Sequence, residues 1–311
     1  MDAIVTEGLS RRFGTLEALQ GLNLTVARGE CVGLLGHNGA GKTTTVKLLL
    51  GLLQPTAGRA TVLGQPAGHP ETKGQVGYSP ETPHFYPFLS ARETLHFFRQ
   101  LSGLKPAQVD VDGILAEVGL KAAADSKVGG FSKGMVQRLA VAQALVGDPV
   151  VLFLDEPSSG LDPVGRIEMR SLIRRLKAAG KTILLNTHIL ADVEEVADRV
   201  AMLKSGRLAA LHDLRVAATT GVSARVSGLI PDTLEALRSM GLFVACEGDR
   251  LTLAGLREGQ EPDVVARLVA GGARIYSFVP QRVGLEQRFI DVMGGGTGRD
   301  AGLERGAGES A

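Results

Sequence analysis

The 311-residue sequence has no tryptophan, an aromatic content of 4% and no excess of charge of either sign. Its 34 lysines and arginines nearly equal its 33 aspartates and glutamates, which gives a formal net charge of +1. This balance supplies neither the basic surface of a nucleic-acid-binding protein nor a polybasic patch for a membrane. We therefore expect no nucleic-acid partner, and we expect any phosphate recognition to be local.

Long apolar runs and an export signal are also missing. The run at 150–154 stops at Asp155, well short of the roughly 18 residues that a membrane-spanning helix needs. The first residues, MDAIVTEGLSRRFG, lack a basic stretch followed by an apolar one, so no signal peptide is predicted. These absences predict a cytoplasmic protein that reaches a membrane only through a partner.

Cysteines and histidines are few. Cys31 and Cys246 lie in apolar contexts, which predicts buried thiols in a reducing compartment rather than a disulfide. The six histidines are scattered without the spacing of a transition-metal site. Any metal chemistry of that kind would therefore belong to a partner.

What the chain does contain is an alternation of apolar strands and helices. Helical spacing is visible at 42–53, 91–101, 109–119, 134–146 and 164–179, and solid apolar runs at 31–35, 150–155 and 181–188. This order predicts an α/β fold with a mostly parallel sheet that is buried on both faces. We predict a large domain at 1–220, a small α+β domain at 221–293 with the order strand, helix, strand pair, helix, strand, and a disordered glycine-rich tail at 294–311.

The segment GHNGAGKTTT stands between an apolar strand and a helix and fits the pattern of a phosphate-binding loop. Bare backbone N–H groups at a helix N-terminus bind phosphate oxygens, with Lys42 on the β- and γ-phosphates and Thr43 on Mg²⁺. We expect Lys42 to face solvent. The alternative is a glycine-rich turn with a chance lysine. The motif predicts a nucleoside triphosphate, ATP, bound by Gly36, His37, Asn38, Gly39, Ala40, Gly41, Lys42, Thr43 and Thr44.

The segment VVLFLDEP predicts a buried strand that delivers two carboxylates to the edge of the sheet. Asp155 would hold Mg²⁺, and Glu156 would orient and activate the attacking water. Taken alone, a strand that ends in Asp-Glu is more often a solvated turn. The phosphate-binding loop upstream makes the catalytic interpretation the stronger one.

A third segment, FSKGMVQR, resembles the signature sequence of ABC-type ATPases. Ser132 and Gly134 begin a helix there, and in the family this helix serves the ATP of a second subunit. Lys133 and Met135 stand where the commonest signature has glycine and glutamine. The alternative interpretation is an ordinary N-capping serine on a glycine turn.

The resemblance to ABC-type ATPases extends over residues 4–214 and implies further site residues. Phe13 matches the aromatic position that stacks on adenine, Asp162 closes the SSGLD loop at the dimer interface, and His188 matches the switch histidine at the γ-phosphate. Glu81 stands where the family often has glutamine, as a candidate catalytic residue and Mg²⁺ ligand. The family fold adds an antiparallel β subdomain and a helical subdomain.

The same resemblance implies partners. ATPases of this type form an ATP-dependent homodimer and drive an integral membrane permease, on the inner face of the cell membrane, whose coupling helix would dock on 84–99. That segment holds five aromatic residues, Phe85, Tyr86, Phe88, Phe97 and Phe98, of which we expect at least half in the core. Within the family the sequence is similar to the ATPase of the copper-site maturation system of nitrous oxide reductase. The alternatives are a soluble ABC-type ATPase acting on ribosomes or DNA, and another P-loop NTPase such as a kinase.

Overall fold

Apolar strands and helices alternate along the chain, as the sequence predicts. The computed structural model describes residues 2–215, 220–256, 259–282 and 285–293, so the predicted tail at 294–311 lies outside the described residues. The chain divides into two compact units, Met1–Ala218 and Thr219–Ala311. Among the described residues, no helix combines the length and the hydrophobicity needed to cross a bilayer.

The first unit contains a central sheet, a second sheet and helices. Its strands are β1 (Asp2–Phe13), β2 (Leu16–Ala27), β3 (Cys31–Leu35), β4 (Ala57–Val62), β5 (Gln65–Pro66), β6 (Val76–Ser79), β7 (Val151–Asp155), β8 (Thr182–Thr187), β9 (Arg199–Lys204) and β10 (Arg207–Asp213). Its α-helices are α1 (Lys42–Leu49), α2 (Pro70–Lys73), α3 (Ala91–Leu101), α4 (Val111–Glu117), α5 (Lys133–Leu145), α6 (Pro163–Ala178) and α7 (Leu190–Val196).

The central sheet has the strand order β10-β9-β3-β8-β7-β6, and its neighbours are parallel except for the antiparallel β9–β10 pair. Every residue of β3, β7 and β8 is buried. Strands with two buried faces read as continuous apolar runs. The predicted mostly parallel sheet is confirmed.

Two subdomains flank this sheet. β2-β1-β4-β5 form an antiparallel sheet, and α3, α4 and α5 pack on one another as the helical part. A capping box at Ser90 and Glu93 fixes the start of α3, because each residue bonds the backbone N–H of the other. The fold that the family resemblance implies is therefore confirmed.

The second unit is a small α+β structure. Its elements are β11 (Thr220–Ser227), α8 (Pro231–Ser239), β12 (Phe243–Glu247), β13 (Arg250–Leu256), α9 (Glu261–Ala270), β14 (Arg274–Arg282) and α10 (Leu285–Met293). The sheet order is β12-β13-β11-β14 with antiparallel neighbours. From β11 to β14 this is the predicted order of strands and helices.

Two local expectations are wrong, namely the end of α1 and the burial of Cys246. α1 ends at Leu49 and not at residue 53, because Gly51 adopts a φ of 71° and turns the chain into the left-handed region. Cys31 is fully buried in β3, and burial raises the pKa of its thiol to about 12. Cys246, by contrast, is exposed near the end of the edge strand β12, where its Sγ donates to the carbonyl of Gly248.

Candidate active site

The phosphate-binding loop connects β3 to α1, and two of its glycines are sterically required. Gly41 has a φ of 102°, and a Cβ there would lie 2.5 Å from the carbonyl oxygen of Ala18. A Cβ on Gly36 would lie 2.5 Å from the carbonyl oxygen of Leu203. The loop therefore packs so closely against β2 and β9 that a side chain at either position would displace backbone.

Lys42 is the first residue of α1 and is only 6% exposed, so the expectation of a solvent-facing lysine is wrong. Its Nζ donates to the carbonyls of Gly36 at 2.7 Å and His37 at 3.3 Å, and lies 4.0 Å from Oε1 of Glu156. Burial lowers the pKa of Lys42, while the Glu156 carboxylate opposes this shift. Backbone carbonyls of the loop thus hold the Lys42 ammonium group in place.

The N-terminus of α1 has no side-chain cap. Gly41 occupies the capping position. The first turn of α1, whose residues the structure describes in full, carries no acidic residue. The first N–H groups of a helix lack intrahelical partners, and the helix dipole favours an anion beside them. Together with Lys42, this end of α1 is suited to phosphate oxygens.

Two carboxylates follow β7. Asp155 is buried and accepts a hydrogen bond from the Asn186 amide on the neighbouring strand β8. Burial, together with the nearby Glu81 and Glu156 carboxylates, raises the pKa of Asp155 to about 6, although the hydrogen bond from Asn186 opposes this shift. An acidic group held at this pKa is costly to ionise unless a cation neutralises it.

Glu156 adopts a φ of 48°, an uncommon conformation for a residue with a side chain. Its N–H donates to the carbonyl of Asn186 at 2.8 Å, and its Oε2 lies 2.8 Å from Nδ1 of His188. The hydroxyl of Thr187 lies 3.4 Å from the same carboxylate oxygen. Backbone and side-chain contacts therefore maintain the strained conformation and fix the direction of the carboxylate.

The oxygen ligands near Asp155 fit a Mg²⁺ ion. The Thr43 hydroxyl hydrogen-bonds to the Asp155 carboxylate, and the Glu81 carboxylate is close enough to affect its pKa. Oδ1 of Asn186 is buried without a partner among the described residues. Hydroxyl and carboxylate oxygens are the ligands that Mg²⁺ prefers, and a divalent cation would offset the repulsion between the acids.

A cavity of about 1050 Å³ brings most of the predicted residues together. The predicted residues that line it are Phe13, Asn38, Gly39, Ala40, Gly41, Lys42, Thr43, Thr44, Glu81, Glu156 and His188. The other lining residues are Thr15, Leu16, Glu17, Ala18, Gln20, Ser159 and Ser205, which sequence reasoning missed. Most of these follow Phe13 along the β1–β2 hairpin, so their closeness to Phe13 in the sequence could have indicated that they line the same cavity.

Six predicted residues do not line this cavity. The carbonyls of Gly36 and His37 accept from Lys42, and Asp155 ends β7. The other three are Ser132, Gly134 and Asp162. Ser132 caps α5 by accepting from the N–H of Met135 at 3.3 Å, and Asp162 caps α6 by accepting from the N–H of Gly165 at 2.8 Å. Gly134 lies in the first turn of α5. Ser132 thus has the local role that the alternative interpretation gives it, and the role of these residues toward another subunit's ATP stays a prediction.

Gln137 is a further residue that sequence reasoning missed. It is 2% exposed on α5, and its Nε2 donates to the backbone carbonyl of Glu81 at 2.9 Å. This bond connects the helix that begins at Ser132 to the loop that carries Glu81. A polar residue on the buried face of a helix was the signal, since such a group needs a partner.

The aromatic residues between 84 and 99 differ from expectation. Phe85 and Phe98 pack against the core, but Tyr86, Phe88 and Phe97 are 52%, 65% and 37% exposed. The prediction that at least half belong to the core is wrong. The Tyr86 ring lies 5.5 Å from the Phe88 ring and 5.7 Å from the Phe97 ring, so the exposed residues form one aromatic surface patch.

Comparisons with known proteins agree with this geometry. The profile of the ABC transporter family matches residues 19–159. An uncharacterized ABC transporter ATP-binding protein of Nostoc sp. is 42% identical over 279 residues, which cover 88% of this chain and 82% of the relative. The chain belongs to the ABC transporter family of ATP-binding proteins.

Other ABC transporter ATPases are similar over about two thirds of the chain. A fluoroquinolones export ATP-binding protein of Mycobacterium tuberculosis is 44% identical over 214 residues, covering 68% of this chain and 70% of that protein. A solved structure of an ATP-binding subunit of an ABC transporter has a TM-score of 0.61 and 36% identity, covering 68% of this chain and 90% of that one. ABC transporter ATP-binding subunits are ATPases that couple hydrolysis to transport, and this chain is one of them.

Proposed function

We propose that this ABC transporter ATPase hydrolyses ATP in a two-subunit sandwich and thereby drives a separate membrane permease. One observation carries the proposal: Glu156 lies 2.8 Å from His188 and 4.0 Å from Lys42 at the mouth of the phosphate-binding loop. Hydrolysis of a γ-phosphate needs mainly a positioned water and charge stabilisation. Glu156 orients and deprotonates that water, His188 holds the carboxylate and contacts the γ-phosphate, and Lys42 stabilises the developing charge.

The remaining residues of the cavity bind the nucleotide. Phe13 stacks on adenine, and the loop at 36–44 surrounds the phosphates. Thr43, Asp155 and Glu81 would hold Mg²⁺, which would neutralise phosphate charge when bound. Ionisation of the buried Asp155 is then favoured by the cation, which gives the costly carboxylate a function.

The second half of the site comes from another copy of the chain. Ser132, Gly134 and Asp162 lie outside the cavity of their own subunit, and the α5 N-terminus presents Ser132 and Lys133 to solvent. In our proposal Ser132, Gly134 and Asp162 close over the ATP of the partner subunit. ATP is therefore needed for dimer formation.

The permease would contact the aromatic surface patch of Tyr86, Phe88 and Phe97. This patch follows the loop of Glu81, so a change at the nucleotide is connected to the docking surface by a short segment. The chain would then lie in the cytoplasm, peripheral on the inner face of the membrane. Recovery with ribosomes or nucleic acid, rather than with an integral membrane protein, would contradict this assignment.

The cargo is proposed at two levels. The similarity to a fluoroquinolones export ATPase and to a bacitracin transport ATP-binding protein, at 40% identity over 208 residues, supports transport of a substrate out of the cytoplasm. Within that class, the segment GYSPETPHFYPFLSARETL is similar to the ATPase of the copper-site maturation system of nitrous oxide reductase. This similarity supports a role in the maturation of that enzyme's copper site. Normal copper content of that enzyme in a strain lacking the chain would exclude the narrower proposal.

We also propose that residues 1–220 bind ATP without the accessory domain at 221–293. The residues assigned to the nucleotide all precede residue 190, and the profile of the ABC transporter family matches residues 19–159. A folded truncation after Thr220 should bind ATP. A folded truncation without ATP binding would contradict the division.

The Glu156→Gln variant tests the central proposal. Glutamine retains the size and hydrogen bonds of glutamate but cannot act as a base, so ATP should bind and close the dimer without being hydrolysed. We expect at least a 100-fold loss of phosphate release, on the order of a general base contribution, together with ATP-dependent dimer in size-exclusion chromatography. Glu71→Gln, at an exposed glutamate on α2, is the control. Wild-type turnover in Glu156→Gln would overturn the assignment.

A further inference from the structure

Phe13 lines the nucleotide cavity, and its ring gives the cavity a flat apolar surface. Phe13 is the last residue of β1, immediately before a tight turn at Gly14, whose φ is 57°. The side chain is 42% exposed. An exposed ring that nothing held in place would lose rotamer freedom when it stacks on a base. This loss of side-chain entropy would weaken binding.

Arg11 restricts the ring. It lies two residues earlier on the same face of β1, and its Cζ is 4.6 Å from the centroid of the Phe13 ring. A guanidinium group at this distance over a ring is attracted by the negative π face. The same guanidinium donates from Nη1 to the backbone carbonyl of Gln54 at 2.7 Å, so a segment beyond α1 holds Arg11 in place.

Arg11 contacts the ring but lies outside the nucleotide cavity. Phe13 lines the nucleotide cavity, whereas Arg11 does not line it. Arg11 lines a neighbouring groove of about 590 Å³ instead, together with Arg12 and Arg207. The guanidinium therefore contacts the ring without occupying the cavity that the ring lines.

We propose that Arg11 is a positioning residue that holds the Phe13 ring ready for an adenine base and takes no part in phosphate or metal binding. The inference rests on the adenine role of Phe13 in the proposed function. If so, Arg11 contributes to the affinity for the base, while the loop at 36–44 provides the affinity for the phosphates. Removing Arg11 should thus raise KM for ATP and leave kcat nearly unchanged.

The test compares two ligands on the full-length chain. Binding of Mg-ATP and of Mg-tripolyphosphate, which lacks the base, is measured by calorimetry, and KM and kcat for ATP are measured by phosphate release. We expect Arg11→Ala to raise the Kd for ATP and KM three- to ten-fold, with the Kd for tripolyphosphate and kcat changing less than two-fold. Arg12→Ala is the matched control, since its exposed guanidinium has no hydrogen-bond or ion-pair partner among the described residues, and it should change neither affinity.

A double-mutant cycle with Phe13→Ala shows whether Arg11 acts through the ring. In the Phe13→Ala background, Arg11→Ala should have no further effect on ATP affinity. If Arg11→Ala is unfolded, Arg11→Gln retains a donor for the Gln54 carbonyl but removes the cation, and should show the same selective loss.

The outcomes separate the two proposals. Equal losses for ATP and tripolyphosphate, or an undiminished effect without the Phe13 ring, would overturn the inference. If Phe13→Ala weakens ATP binding and Arg11→Ala does not, the inference fails and the proposed function stands. If Phe13→Ala leaves ATP affinity unchanged, the adenine role fails and the inference fails with it.

Discussion

Two helices in the first unit begin in the same way and end up in different surroundings. α1 and α5 each open with a lysine at the first helical position, Lys42 and Lys133, after a capping residue. The cap of α1 is Gly41 without a side-chain hydrogen bond, and the cap of α5 is Ser132, which bonds the N–H of Met135. Lys42 is buried over its loop, whereas Lys133 is exposed.

In our proposal, this difference lets one local motif bind one nucleotide from two subunits. The α1 N-terminus lies in a cavity with Lys42, Glu156 and His188, so one subunit supplies all three of these proposed catalytic groups. The α5 N-terminus has helix dipole and hydroxyl but lacks that surrounding cavity within the described residues. A helix end of this kind becomes a nucleotide site only when a second subunit brings the nucleotide, as we propose.

The largest effect is expected from removing the first lysine. Lys42→Ala should lower phosphate release by at least about 100-fold, because a preorganised cation beside the developing charge is lost from a buried site. Lys133→Ala, at the equivalent position of α5, is the control and should reduce turnover far less. Phosphate release and far-UV circular dichroism measure activity and fold. Equal losses in the two variants would erase the proposed distinction between the helices.

A second variant tests the other helix. A Cβ at Gly134 would meet its nearest atom, Leu161 Cδ2, at 3.8 Å, so a side chain fits within the subunit. Gly134→Asp places a negative charge where the partner's γ-phosphate would approach, and closure should fail. Added to Glu156→Gln, it should give a monomer with Mg-free ATP in size-exclusion chromatography.

The matched control for that charge is Gly74→Asp in the same Glu156→Gln background. A Cβ at Gly74 meets no atom within 4 Å, and Gly74 lies at the end of α2. This control should still dimerise with ATP. If the Gly134→Asp combination dimerised equally well, the α5 N-terminus would not contact a partner's nucleotide.

The smallest effect concerns the stability of the buried acid beside α1. The folded pKa of Asp155, about 6, lies above the ordinary value of 3.8, so the folded state binds the proton more tightly than the unfolded state. Its contribution to stability is therefore fully present below pH 4 and is lost as the pH rises through 6. The loss is roughly 1–3 kcal/mol at neutral pH.

Asp155→Asn removes this titration. At pH 7 without nucleotide, the variant should be more stable than the wild type by roughly 1–3 kcal/mol, because an uncompensated buried charge is gone. Urea unfolding at pH 4 to 7.5 measures the difference, which should shrink toward the acid end. An advantage that does not vary with pH would show that Asp155 is not the group responsible.

Much of the fold was predictable because its signals are local. The apolar runs of β3, β7 and β8 have the lengths of buried strands, and the helical spacing at 91–101 coincides with α3. The second unit follows the predicted order of elements for the same reason. The end of α1 was missed because the left-handed turn at Gly51 overrides a periodicity that continues past it.

The exposure of individual side chains was predicted less well, because it depends on what the rest of the chain brings nearby. Cys246 has apolar neighbours in sequence but lies near the end of an edge strand. At least half of the aromatic residues at 84–99 were expected in the core, but Tyr86 and Phe88 pack on each other at the surface. In each case the local composition says nothing about which neighbours cover the side chain.

The sequence by itself determined the phosphate-binding loop, the two carboxylates after β7 and their order along the chain, because the chemistry of each is set by residues within a few positions. Only the tertiary structure decided that Lys42 is buried, that Asn186 and His188 hold Asp155 and Glu156, and that Arg11 covers one face of Phe13. These contacts join segments that pair in the sheets or pack across them. Their distances follow from strand register and close packing, and a linear pattern carries neither.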